Sequence, residues 1–147
     1  MMDPADVELL GKAISRILDR VEAGGLDTLS APERTVYLAY FMDAEVHNGG
    51  FDQFFFNSQG NHAAETVEAL EAVGAPRSAN QLRHARALFK PEAPSPDRDV
   101  RWAQMDKMPK ATREQWNAMD EAYYASGENV MALVCAFVRA RPDAFER

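Results

Sequence analysis

Apolar positions recur along this chain at three- and four-residue steps, the period of an α-helix packed on one side. Val7, Leu10, Ile14, Ile17 and Val21 form the first such row, with Asp3 and Asp6 at the positive helix start and Gly24-Gly25 ending it. Ser30-Ala31-Pro32-Glu33 has the form of a capping box, with proline early in the helix, where its missing N–H costs least. The next helix sets Val36, Tyr37, Tyr40, Phe41 and Ala44 on one face and is expected to end near Asn48-Gly49. Phe51, Phe54 and Phe55 fit a short helix broken by Asn57-Ser58-Gln59-Gly60. Asn61 is placed to cap the helix after it, in which Ala63, Val67, Leu70 and Val73 face inward before Gly74-Ala75-Pro76.

Leu82, Ala85, Leu88 and Phe89 mark a further helix, closed by Pro91. The stretch P-E-A-P-S-P-D-R-D, residues 91–99, holds three prolines within six residues and reads as a surface loop. Val100, Trp102 and Met105 suggest a short helix ending before Pro109; Trp116, Met119 and Tyr123 continue the pattern. Val130 to Val138 forms a strongly apolar last helix stopped by Pro142. No strand alternation, repeat or low-complexity tract interrupts this. The expected fold is all-α, a single compact domain of six to eight helices spanning residues 1–147, with residues 1–30 an N-terminal helix and loop.

Charge adds asymmetry to this picture. The formal net charge of the 147-residue chain is −7. Residues 1–75 carry thirteen acidic and four basic side chains, whereas residues 76–147 carry ten and twelve. Between Thr35 and Pro76 there is no lysine or arginine, while Asp43, Glu45, Asp52, Glu65, Glu68 and Glu71 all fall there. A one-signed field of this kind repels nucleic acid and attracts basic partners, so direct DNA or RNA binding is not expected. No apolar run reaches the length of a membrane span, and the opening M-M-D-P-A-D is acidic where a signal peptide would be basic. A cytoplasmic chain without membrane contact is expected.

Reactive chemistry finds little support. The single cysteine, Cys135, excludes an internal disulfide framework, and its setting M-A-L-V-C-A-F-V is that of a packed core thiol. No serine stands in a G-x-S-x-G setting and no glycine-rich phosphate loop is present. His62 and Glu65, at i and i+3, could reach one ion, with Glu45 or His47 completing the shell. Di-metal helical proteins place the Glu before the His and repeat the step on two helices, which this chain does not. His84, between Arg83 and Arg86, reads as a surface residue. Glu65, Glu68 and Glu71 share one helix edge at about 4.5 Å of rise per step. The phosphates of one B-DNA strand rise by roughly 3.4 Å, so a rigid row of carboxylates loosely matches them.

Residues 45–58, E-V-H-N-G-G-F-D-Q-F-F-F-N-S, carry the most specific signal. An acidic residue, then N-G-G-F, then Q-[YF]-[FY]-x-N-S resembles the motif of a family of small acidic bacterial DNA-mimic proteins, number nineteen in its naming series. Glu45, Asn48, Gly49, Gly50, Phe51, Gln53, Phe54, Phe55, Asn57 and Ser58 are the matching residues. E-A-L-E-A-V-G-A at 68–75, M-D-E-A-Y-Y at 119–124 and the ending F-V-R-A-R-P-D-A-F extend the resemblance over most of the chain after residue 30. It implies an all-helical domain, often dimeric, with no catalytic residues and no cofactor. In the prototype it implies a negatively charged surface that occupies the DNA-binding face of a helix-turn-helix regulator and relieves repression.

The expectation is therefore a non-enzymatic protein that binds a basic DNA-binding protein, a helix-turn-helix regulator or a nucleoid protein, by mimicking DNA phosphate charge and so modulates transcription. Asp43, Glu45, Asp52, Glu65, Glu68 and Glu71 are the candidate contacts. Two alternatives stand beside it: a small metal protein or enzyme built on Glu45, His47, His62 and Glu65, and a generic helical scaffold. Within the motif, Phe51, Phe54 and Phe55 are expected to plug the core and the glycine pair to turn the chain. Asn48, Gln53 and Asn57 are expected to satisfy buried backbone groups at the bends.

Overall fold

Helix α1 (Pro4–Gly24) begins at Asp3, whose carboxylate accepts the Ala5 N–H, and buries Leu10, Ala13, Ile14 and Ile17. Val7, the first residue of the expected row, lies outside the contact and stays exposed. The structure is a computed structural model that describes residues 2–146; Met1 and Arg147, the two ends of the expected 1–147 domain, lie outside the described residues. Helix α2 (Ala31–Phe56) starts at the full capping box: Ser30 accepts from Glu33 N–H while the Glu33 carboxylate accepts from Ser30 N–H. Arg20 of α1 bonds the same buried carboxylate at 2.7 Å, so the cap also ties the first two helices together.

After α2 come α3 (Ala63–Ala72), α4 (Pro76–Arg86), α5 (Arg98–Asp106), α6 (Lys110–Ala125), α7 (Val130–Arg139) and α8 (Pro142–Phe145). Short 3-10 turns at Leu26–Thr28 and Ser58–His62 precede α2 and α3. These eight helices, with no strand among the described residues, make one compact all-α domain. Helix α2 is its axis, packing against α1, α3, α5, α6, α7 and α8. That position explains why its buried set is wider than one stripe. Val36, Leu38, Ala39, Met42 and Val46 are all sealed, whereas Tyr37, Tyr40, Phe41 and Ala44 are only partly covered. No helix among the described residues is long and apolar enough to cross a membrane.

Several expected boundaries move. The helix expected to carry Leu88 and Phe89 and to be closed by Pro91 ends already at Arg86, and Phe89 reaches the core from the turn that follows. Asn61 does not cap α3: residues 58–62 continue as a 3-10 turn, His62 takes the cap position, and Asn61 Oδ1 is buried with no hydrogen-bond partner among the described residues. Pro142 does stop α7, and it also opens α8, where proline fits the first helical position and Phe145 returns to the core. The 91–99 stretch is loop as far as Asp97, and Asp97 then caps α5 by accepting from Val100 N–H. Gln104 of α5 pins that loop by accepting from Ser95 N–H and donating to the Ala93 carbonyl. Cys135 is buried, as its apolar setting predicts, and burial pushes its thiol up.

Candidate partner-binding face

The motif occupies a break in α2. Gly49 has φ −154° and Gly50 φ +76°, so two helical segments meet at an angle that only a residue without Cβ accommodates at Gly50. Asp120 of α6 fills the corner: its Oδ1 accepts the Phe51 N–H at 2.8 Å. A Cβ on Gly50 would stand 2.2 Å from Asp120 Oδ2. Beyond the break, Phe51, Phe54 and Phe55 are fully buried, Phe55 stacking on Trp116 at 5.2 Å, as the hydrophobic pattern predicts. Phe56 is exposed and stacks on Trp102, with the Arg98 guanidinium over both rings.

The amides of the motif do something other than expected. Gln53 Nε2 and Asn57 Nδ2 both donate to Glu45 Oε2, at 2.8 and 3.0 Å, and Asn48 donates to Gln53 Oε1. These side chains hold a carboxylate across the break in place of the backbone groups expected. The backbone groups are met by arginines and a tryptophan of α5. Arg101, fully buried, donates to the carbonyls of Phe55 (2.6 Å), Asn57 (2.8 Å) and Ser95 (2.8 Å). Arg98 and Trp102 donate to the Phe56 carbonyl. Glu45 is thus a brace of the motif. Glu45→Ala leaves two amide donors without an acceptor and is expected to cost about 1–3 kcal/mol in urea unfolding. A loss below about 0.5 kcal/mol would mean that water replaces the brace.

The remaining candidate carboxylates do not form one free acidic surface. Asp43 is 4% exposed and lies inside the bundle, because its position continues the buried row Val36, Ala39, Met42 and Val46 of α2. The Tyr123 hydroxyl donates to Asp43 Oδ1, and His47 Nδ1 lies 3.3 Å from the same oxygen and 2.9 Å from the Asp43 carbonyl. Burial holds the Asp43 carboxyl above the usual range, partly offset by the Tyr123 and His47 bonds. The Tyr123 phenol is pushed up by burial and then by the Asp43 charge. On α3, Arg34 of α2 pairs with Glu65 and holds its carboxyl below the ordinary range, and Arg83 of α4 pairs with Glu71. Glu68, exposed between them, has no ion pair among the described residues. Asp52 pairs with Arg113 of α6 at 2.7 Å.

The stretch from Thr35 to Pro76 is one-signed in sequence, but folding brings Arg34, Arg83 and Arg113 onto it from outside. The row at Glu65, Glu68 and Glu71 keeps its spacing while two of its three charges gain counter-charges. The four residues of the metal alternative are also dispersed. Glu45 serves the motif, His47 serves Asp43, and His62 stays near Glu65 and Arg34, its imidazole pushed down by burial and then by the Arg34 charge. No group of three or more His, Cys, Asp or Glu among the described residues is placed to hold a metal ion.

A cleft opens where the middle of α2 meets the junction of α6 and α7. It measures about 500 Å³ and is walled by His47, Tyr123, Tyr124, Glu128 and Met131 over Asp43. Tyr123 and Tyr124 come from the M-D-E-A-Y-Y segment, which the sequence marks as helical core through Met119 and Tyr123 and as part of the resemblance, not as a cleft wall. The Tyr124 hydroxyl donates to the Val46 carbonyl at 2.7 Å and fixes one wall. Glu128 accepts the N–H groups of Arg77 and Ser78 at the start of α4, anchoring the rim.

No curated protein and no solved structure matches this chain. The sequence profile of the DMP19-like proteins does match, over residues 27–141, which contain the broken helix, the Glu45 brace and the cleft. The chain belongs to the DMP19-like protein family.

Proposed function

We propose that this chain is a non-enzymatic acidic protein that binds a basic DNA-binding protein, a helix-turn-helix regulator or a nucleoid protein, with surface carboxylates standing in for DNA phosphates. Membership of the DMP19-like family is the observation that carries this reading, and the net charge of −7 accords with it. The α3 edge is the contact proposed, with Glu68 as its free charge and Glu65 and Glu71 as carboxylates held in place by Arg34 and Arg83. Side chains already fixed lose less freedom on binding, so the two arginines trade charge for rigidity. Asp52, beside Arg113, lies at the break and can extend the contact, whereas Asp43 and Glu45 act from within.

The test is capture of basic proteins from the native cell on immobilised wild-type chain and on Glu65→Gln/Glu68→Gln/Glu71→Gln. Captured protein is expected to be released by salt and by added duplex DNA, because phosphate and carboxylate compete for the same cationic face. The triple variant is expected to capture several-fold less, since charges at an interface rim each contribute modestly. Capture that duplex DNA leaves untouched would remove the mimic reading. Equal capture by the triple variant would move the contact off α3.

A further inference from the structure

The cleft over Asp43 contains an unfinished electrostatic arrangement. Asp43 is more than nine-tenths buried, and both contacts made to its carboxylate, from Tyr123 and His47, fall on Oδ1. Oδ2 has no donor among the described residues and is not among the sealed, unpartnered polar atoms, so it meets the solvent of the cleft that the side chain lines. A carboxylate sunk this far into the bundle, with one oxygen left to the water of the cleft, attracts a donor there, best a cationic one.

The walls restrict what that donor can be. The His47 and Tyr124 rings lie 5.5 Å apart between centroids and are tilted by 38°, while Tyr123 presents its edge to His47 at 5.5 Å. Tyr124 is 43% exposed, so an aromatic surface faces the opening. No lysine or arginine lines the cleft, and Glu128 stands on its rim. A planar guanidinium sheds water more readily than an ammonium, lies flat on aromatic rings and donates N–H groups in its own plane to a carboxylate. The cleft, of about 500 Å³, is open to solvent and has room for one side-chain head group entering from outside.

We propose that this cleft receives the guanidinium of an arginine side chain, with Asp43 Oδ2 as its acceptor and the His47 and Tyr124 rings, packed on each other, as one aromatic wall beside it. As to the source of that arginine, a protruding side chain of the basic partner, the inference rests on the function proposed above. The cation site itself does not. Arginine is the residue that DNA-binding faces direct at phosphates and base edges, so one buried acceptor would register a partner that the α3 edge attracts only by charge.

The experiment titrates N-acetyl-L-arginine amide into the isotope-labelled full chain and follows the backbone amide resonances. Saturable shifts are expected at His47, Tyr124, Gly127, Asn129 and Met131, with N-acetyl-L-lysine amide binding more weakly. Asp43→Asn is expected to weaken the arginine response by roughly tenfold or more, the usual result of removing one charge from a buried pair. That variant is expected to fold. The asparagine oxygen still accepts from Tyr123, and the neutral amide avoids the cost of burying a carboxylate, the same cost that holds the Asp43 carboxyl above its usual range. If Asp43→Asn fails to fold, Tyr124→Ala, at an exposed position, is expected to show the same loss of arginine binding.

No saturable shift at these residues, or equal affinity in the variant that folds, overturns the site. Lysine amide binding as tightly as arginine amide overturns the guanidinium assignment. Arginine binding without capture of any DNA-competed protein overturns the partner reading and leaves the cleft standing. Capture without arginine binding does the reverse.

Discussion

Arg101→Leu is expected to lower the unfolding free energy by about 3–5 kcal/mol, since three carbonyls lose their donor at about 1–3 kcal/mol each, partly offset because a charge no longer has to be buried. Urea unfolding followed by far-UV circular dichroism measures it. Arg101 has no exposed surface, and its three bonds end on the carbonyls of Phe55, Asn57 and Ser95. Two of these lie where α2 runs out, in the last turn that has no helical donors of its own. The guanidinium therefore closes the negative end of the central helix and fastens the 87–97 loop to it. Leucine removes the donors, leaves the carbonyls buried and fills less of the space. Gly60 shares the site, since a Cβ there would stand 2.8 Å from the Phe54 carbonyl oxygen and 2.9 Å from Arg101 Nε. Arg101→Lys is expected to recover only part of the loss, because one ammonium cannot match a rigid fork aimed at three carbonyls. A loss below about 1 kcal/mol for Arg101→Leu would show that other donors reach those carbonyls.

Gly50→Ala is the second large effect, about 3 kcal/mol or more, from two sources that a double-mutant cycle separates. The backbone at φ +76°, ψ −174° is a region that residues bearing Cβ rarely enter. The added methyl also stands 2.2 Å from Asp120 Oδ2, so the carboxylate must withdraw and give up the Phe51 N–H. In an Asp120→Ala background the collision and the bond are both absent, leaving backbone strain alone. Gly50→Ala is then expected to cost distinctly less than in the wild type. Equal cost in both backgrounds would place the whole effect in the backbone.

Much of the fold was legible because periodicity is a local record of burial. The rows Ala63, Val67, Leu70, Val73 and Trp116, Tyr123 mark core faces that the structure buries, and Ser30 with Glu33 announces the start of α2. Where several neighbours surround one helix, periodicity blurs, and the face assigned to Tyr37 and Phe41 in place of Leu38 and Met42 is the result. The site was harder to read because partners come from far along the chain. Glu65 meets Arg34 across 31 residues and Asp52 meets Arg113 across 61. Nothing in the local stretch D-R-D-V-R-W distinguishes Arg101, which is buried, from Arg98, which is not. One signal was present: Asp43 follows Val36 by seven residues and Ala39 by four, positions that share a helix face, so the same spacing that marked the core marked a buried carboxylate.

The arginines that fold onto the acidic stretch also set what a fragment of this protein would be. Cut out alone, residues 35–76 would be a short polyanion with no cation of its own, able to adsorb onto any basic surface much as a synthetic polyelectrolyte does. In the intact chain, Arg34, Arg83 and Arg113 act as internal counterions, leaving a sparser and more irregular charge pattern. On the proposed function, discrimination among basic proteins belongs to the tertiary structure rather than to any linear segment, and peptides copied from the acidic stretch would be expected to bind more widely than the whole chain.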